Sequence, residues 1–170
     1  TMNMANIFGG VIDFVLDVRN GDQFTVVYEE HYLDGEKIDV ALYVAGVMER
    51  ASPQTPPTQQ VFDELMHANV LGAMQALPQV APWVSEANGT FAFISSRMAS
   101  LELTDSGRAA LYKISKAALN MVVRTAQHDY PRARMVAVHP GWVQTDMGGA
   151  RAAITASLEE KQLALQNITD

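Results

Sequence analysis

Thr90-Phe91-Ala92-Phe93-Ile94-Ser95 follows the turn dipeptide Asn88-Gly89 and reads as a buried β-strand. A short apolar run with aromatic residues, bounded by turn signals, fits a strand covered on both faces. The segments on either side alternate with it. Upstream, Thr58 to about Pro78 predicts a long helix, with apolar positions at Val61, Leu65, Met66, Val70 and Leu77. Ser52 to Thr58 holds three of the seven prolines and reads as a loop. Ile38 to Val44 is a second buried strand, and Gln23 to Tyr32 a helix after a cap at Asp22 and before a stop at Asp34-Gly35. Val11 to Val18 is a third apolar, β-branched strand. Downstream, Ser96 to Arg108 reads as a long loop and Ala109 to about His128 as a second long helix. Arg134 to His139 is a strand stopped by Pro140-Gly141, and Ala150 to Asp170 an amphipathic helix with a polar tail.

Strands and helices alternating in this order predict an α/β fold, a parallel sheet with helices on both faces. The length of 170 residues fits a single domain spanning 1–170. Hydrophobic residues make up 48% of the chain, enough for a sizeable core. Charged residues are only 18%, a low share that points to buried subunit contacts. A formal net charge of -7 with scattered basic residues argues against a nucleic-acid partner. The chain has no cysteine, so disulfides and thiolate metal sites are excluded, and the four histidines show no ligand spacing. No apolar run is long enough for a membrane span, and the N-terminus lacks the pattern of a signal peptide. Cytoplasmic residence is the expectation.

The second long helix opens on Tyr112-Lys113-Ile114-Ser115-Lys116. Residues at i and i+4 share a helix face, so Tyr112 and Lys116 stand together. An ordinary surface pair is the plain alternative. Ser96 and Asn69 change the balance. Ser96 falls just past a predicted strand end, where parallel sheets collect ligands. Ser95 competes with it, but strand alternation points the two in opposite directions. Asn69 sits mid-helix, where asparagine is otherwise unfavourable. Tyrosine, lysine, serine and asparagine together suit carbonyl/alcohol redox chemistry. A carbonyl that accepts hydride builds negative charge on oxygen and needs a proton donor. A nearby ammonium is expected to lower a tyrosine pKa from its ordinary value of about 10.

These residues resemble the short-chain dehydrogenase/reductase family, over about Asp17 to Gly149. Leu16-Asp17-Val18 resembles the strand end whose Asp contacts the adenine side of the cofactor. Val44-Ala45-Gly46-Val47 resembles the family's N-N-A-G terminus. Asn69, Ser95-Ser96 and the Tyr112/Lys116 pair match the catalytic motifs. Pro140-Gly141-Trp142-Val143-Gln144-Thr145 resembles the P-G-x-V-x-T turn beside nicotinamide. Ser95 to Leu101, Tyr112 to Met121 and His139 to Gly149 look closest to a carbonyl-reductase branch of C-factor-like and Sniffer-like proteins.

The resemblance implies a Rossmann-type, doubly wound sheet and an NAD(P)-dependent oxidoreductase acting on a small carbonyl or alcohol. It implies that Tyr112 is the acid/base and Lys116 its activator and ribose ligand. Ser96 becomes the donor to the substrate oxygen, and Asn69 the anchor of a water relay to Lys116. It also implies cofactor contacts at Asp17, Val18, Ala45, Gly46, Tyr112, Lys116, Pro140, Gly141, Val143 and Thr145. NADP and NAD are equally compatible. The helices carrying Asn69 and Tyr112 are the family's usual dimer bundle, with Ala109, Ala110, Ala117 and Ala118 permitting close approach.

The sequence departs from the family pattern in three places, one of them after Thr145, where the family's last strand is not visible. No T-G-x-x-x-G-x-G loop precedes the Val11 strand, and Phe8-Gly9-Gly10 leads into a strand rather than a helix. Backbone N–H groups at a helix N-terminus normally cradle the pyrophosphate, so a partial sheet with impaired nucleotide binding is expected. Tyr43 and Val44 also replace the family's paired asparagines. A truncated or degenerate member, catalytically silent and acting by association, is the alternative.

Overall fold

The computed structural model describes residues 37–142 together with Met147. The predicted strand at 11–18 and the helices at 23–32 and 150–170 lie outside the described residues. Asp17, Val18, Val143 and Thr145 lie outside them as well.

The three remaining predicted strands form. They are β1 (Val40–Tyr43), β2 (Thr90–Ile94) and β3 (Arg134–Val138), each a little shorter than its apolar run. All pair parallel, in the order β1-β2-β3. The register sets Tyr43 beside Phe93 and Ile94 beside Val138, so the carboxyl ends finish nearly level. Parallel neighbours need long crossovers, and helices supply both of them.

The first crossover differs from its predicted form. Thr58 caps α1 (Gln59–Met66), its side chain accepting from the Val61 N–H at 3.3 Å. The helix then widens into a π-turn (His67–Leu71) and resumes as α2 (Gly72–Ala87). It does not stop near Pro78, because Pro78 and Pro82 both lie inside α2. A proline inside a helix costs about 3 kcal/mol. Against that, Leu77, Val80 and Val84 are buried, each worth roughly 1.5–3 kcal/mol, and tertiary packing wins. Asn88 finally ends the helix in the left-handed conformation, at φ 53.

The second crossover starts in the segment predicted as loop, where Arg97–Ala99 forms a short 3-10 turn. It continues in α3 (Ala110–Asp129). Phe91 and Phe93 stack at 4.3 Å between centroids, and the Tyr43 ring lies 5.8 Å from Phe93. Ala73, Ala76, Leu77, Leu119 and Val123 close over them to form the core. No helix among the described residues is long and apolar enough to cross a membrane.

Candidate functional site

Three short segments leave the level carboxyl ends of the sheet: Ala45-Gly46-Val47 after β1, Ser95-Ser96 after β2, and His139-Pro140-Gly141 after β3. Gly141 has φ 83, which turns the chain sharply away from β3 and suits a residue without Cβ. The first turns of α3 and the π-turn face this edge. Asn69, Ser96, Tyr112 and Lys116, distant in sequence, are gathered there. His139 is mostly exposed; its partial burial and then the Arg97 charge push its pKa down.

Alternation separates the two serines as expected. Ser95 is buried and donates to Asn120 Oδ1 on α3 at 2.6 Å. Ser96 has extended dihedrals and caps the 3-10 turn, its Oγ accepting from the Met98 N–H at 3.1 Å. The Ser96 side chain also faces the Tyr112 phenol, in the sense that favours the phenolate.

Lys116 is only 3% exposed. Its Nζ donates to the Ile94 carbonyl at 2.8 Å and lies 5.9 Å from the Tyr112 ring centroid. Burial penalises the ammonium and lowers its pKa to about 8. Gly46 makes room for it: a Cβ there would stand 3.1 Å from Lys116 Nζ and 3.4 Å from Asn69 Oδ1.

Tyr112 corrects the sequence expectation. Its pKa is raised, not lowered. Burial, which disfavours the phenolate, is the larger cause, and the Ser96 side chain only partly opposes it. The phenol therefore holds its proton.

Asn69 is fully buried within the π-turn. Its Oδ1 accepts from Val47 N–H at 2.8 Å, and its Nδ2 donates to Val47 O at 2.9 Å and to Ser115 Oγ at 2.8 Å. Both amide hydrogens are thus engaged by protein groups. The side chain fastens the β1 exit to α3 and leaves no amide hydrogen for the implied water relay.

Two participants escaped the sequence reading. Ser115 stands at i+3 from Tyr112, a spacing that marks it as a face-mate. Tyr43, read only as a departure from the family pattern, donates its hydroxyl to Ala68 O at 3.1 Å in the π-turn. The Tyr43 phenol is buried and its pKa raised by that burial.

The donor set suits a polyhydroxylated group. The Lys116 ammonium has N–H groups beyond the one given to Ile94, and a tyrosine and a serine hydroxyl lie beside it. The missing Cβ at Gly46 leaves space next to that ammonium. These features fit the ribose and nicotinamide end of a dinucleotide. Among the described residues no cluster suited to a metal ion occurs.

A family model described as enoyl-(acyl carrier protein) reductase matches residues 2–169. The C-signal protein of Myxococcus xanthus is 43% identical over 91 residues, 52% of this chain and 55% of that protein. A Rhodococcus 1-hydroxy-2-glutathionyl-2-methyl-3-butene dehydrogenase is 32% identical over 115 residues, 66% of this chain and 50% of that enzyme. The chain therefore spans about half the length of the curated relatives it matches. Among solved structures, the carbonyl reductase Sniffer of D. melanogaster superposes with TM-score 0.70 at 25% identity, over 79% of this chain and 60% of that one. A Burkholderia multivorans short-chain dehydrogenase/reductase solved with NADP gives 0.64 at 27% identity, over 81% and 59%. With parallel strands, helical crossovers and the Tyr112/Lys116 pair in place, the chain belongs to the short-chain dehydrogenase/reductase family.

Proposed function

We propose that this chain carries the proton-transfer site of an NAD(P)-dependent oxidoreductase that interconverts a small carbonyl compound and its alcohol. The observation that carries the reading is the grouping of Ser96, Tyr112 and the buried Lys116 ammonium, its Nζ 5.9 Å from the Tyr112 ring, at the carboxyl ends of a parallel sheet. The NADP bound to the Burkholderia relative and the likeness to the Drosophila carbonyl reductase support it.

When bound, the nicotinamide supplies or accepts the hydride. Lys116, Ala45, Gly46, Pro140 and Gly141 would hold its ribose and ring. Tyr112 gives its Oη proton to the substrate oxygen as charge builds there. Its raised pKa keeps that proton in place at neutral pH. Ser96 Oγ donates to the same oxygen, so two neighbouring hydroxyls define one reacting point. In alcohol oxidation Tyr112 must first give up its proton to act as the base, a step that its burial disfavours.

Titration with NADPH and with NADH, each followed by nucleotide fluorescence, tests the reading and assigns the cofactor. Saturable binding with turnover of a carbonyl that vanishes in Tyr112→Phe is the expected result. No binding at millimolar nucleotide overturns it.

A second property is proposed on a separate observation. Both helices that carry site residues expose large apolar side chains, Leu71 and Met74 on one, Ile114 and Met121 on the other. A groove of about 290 Å³ runs between Asp63 and Met74. Such surface suits association of two copies through these helices. Light scattering tests it: Met74→Glu and Met121→Glu should give monomer, and a parent chain that is already monomeric overturns it.

A further inference from the structure

We propose that Ser115 is a positioning residue, the link that locks Asn69 to the helix turn bearing Tyr112 and Lys116. The inference rests on the proton-transfer reading above. Ser115 is fully buried, and its hydroxyl is used in both senses. It accepts from Asn69 Nδ2 at 2.8 Å and donates to the Tyr112 carbonyl at 2.8 Å. A hydroxyl that donates is a better acceptor, so the two bonds reinforce each other. Helix serines commonly bond back to their own turn; what distinguishes this one is the second bond, to a residue 46 positions away.

The bonds form a continuous path. Val47 grips the Asn69 carboxamide through both its N–H and its carbonyl, Asn69 grips Ser115, and Ser115 grips the carbonyl of Tyr112. The β1 exit loop, the π-turn and α3 are thereby joined at one point. Lys116 follows Ser115 directly, and its Nζ passes close to Gly46, the residue before Val47. Rotation or sliding of α3 against the sheet would break this path before it disturbed the helix itself. Ser115 touches no reacting atom and acts through Asn69.

The test uses Ser115→Ala, Asn69→Ala and the double variant. Steady-state turnover of a carbonyl with NADPH is one readout. The titration midpoint of Lys116, by NMR of labelled lysine in the full chain without nucleotide, is the other. Alanine is a good helix former, and Ser115→Cys, near in volume with a weak donor and acceptor, is the second variant should alanine fail to fold. Loss of one buried hydrogen bond should lower kcat about tenfold, with KM changed less than about twofold. The Lys116 midpoint should move by about half a unit or more. Both effects of Ser115→Ala should disappear in the Asn69→Ala background, as expected for residues acting in series. An unchanged midpoint, or the same loss of kcat in both backgrounds, overturns the proposal. If the parent chain shows no turnover, the oxidoreductase reading fails, and the midpoints alone decide the role of Ser115.

Discussion

Tyr43, at the carboxyl end of β1, donates its hydroxyl to the carbonyl of Ala68 at 3.1 Å. The strand thereby braces the widened helical turn whose next residue is Asn69. Tyr43→Phe keeps the ring against Phe93 and removes only that bond. It should leave a buried carbonyl short of a partner and destabilise the chain by about 1–2 kcal/mol. Urea unfolding measures this; a midpoint identical to the parent's contradicts it.

Gly89 and Gly46 should respond very differently to alanine. A Cβ at Gly89 would lie 2.5 Å from the carbonyl oxygens of both Ile38 and Asp39, which are backbone and cannot yield. Gly89→Ala should therefore cost about 3 kcal/mol or more. At Gly46 the nearest atom is the tip of the Lys116 side chain, at 3.1 Å. That substitution should cost about 1 kcal/mol or less while weakening nucleotide binding several-fold. Thermal melts and a fluorescence titration of both variants separate the two outcomes.

Tyr112→Phe should lower turnover by roughly a hundredfold or more. The side chain is buried, and its polar neighbour Ser96 has a bond from Met98. Folding should survive, with a circular dichroism spectrum like the parent's. Stopped-flow and steady-state rates with a reactive aldehyde read the loss; residual activity within a few-fold of the parent would remove Tyr112 from proton transfer.

Lys116 gives the stability of the chain a pH dependence of known sign. Its pKa is about 8 when folded and 10.5 as the ordinary value. Below pH 8 both states hold the proton, and the folded state bears the full cost of a buried ammonium. Between those values only the unfolded chain retains the proton, so stability rises with pH. Relative to Lys116→Met, the parent should gain on the order of 3 kcal/mol across that window. Urea unfolding of both chains at neutral and alkaline pH measures the difference. A flat difference would show that the amine titrates normally.

Much of this was written plainly in the chain. The strands announced themselves because apolar runs such as Phe91 to Ile94 have few other uses, and parallel pairing followed from their alternation with helices. Strand alternation set Ser95 and Ser96 on opposite sides, the family motif singled out Ser96, and helical pitch paired Tyr112 with Lys116. What stayed hidden depends on distant partners. Nothing local says that α2 survives Pro78 and Pro82, since the compensation comes from the sheet beneath it. A π-turn has no compositional mark. The roles of Tyr43 and Ser115 rest on bonds spanning 25 and 46 positions. The direction of the Tyr112 pKa depends on depth of burial, which overrode the charge argument drawn from Lys116.

The adjacent serines at the end of β2 carry a last consequence. A slip of one residue against β1 would exchange the directions of Ser95 and Ser96, and a hydroxyl would still meet Tyr112. The hydroxyl chemistry is thus blind to that error. The aromatic rings are not, because Tyr43 and Phe93 sit side by side only in the observed alignment, with Phe91 stacked behind. Fidelity of assembly at this edge is guarded by residues that take no part in the reaction, and a conservative trim of Phe93 could misalign the reacting groups while leaving every one of them in the sequence.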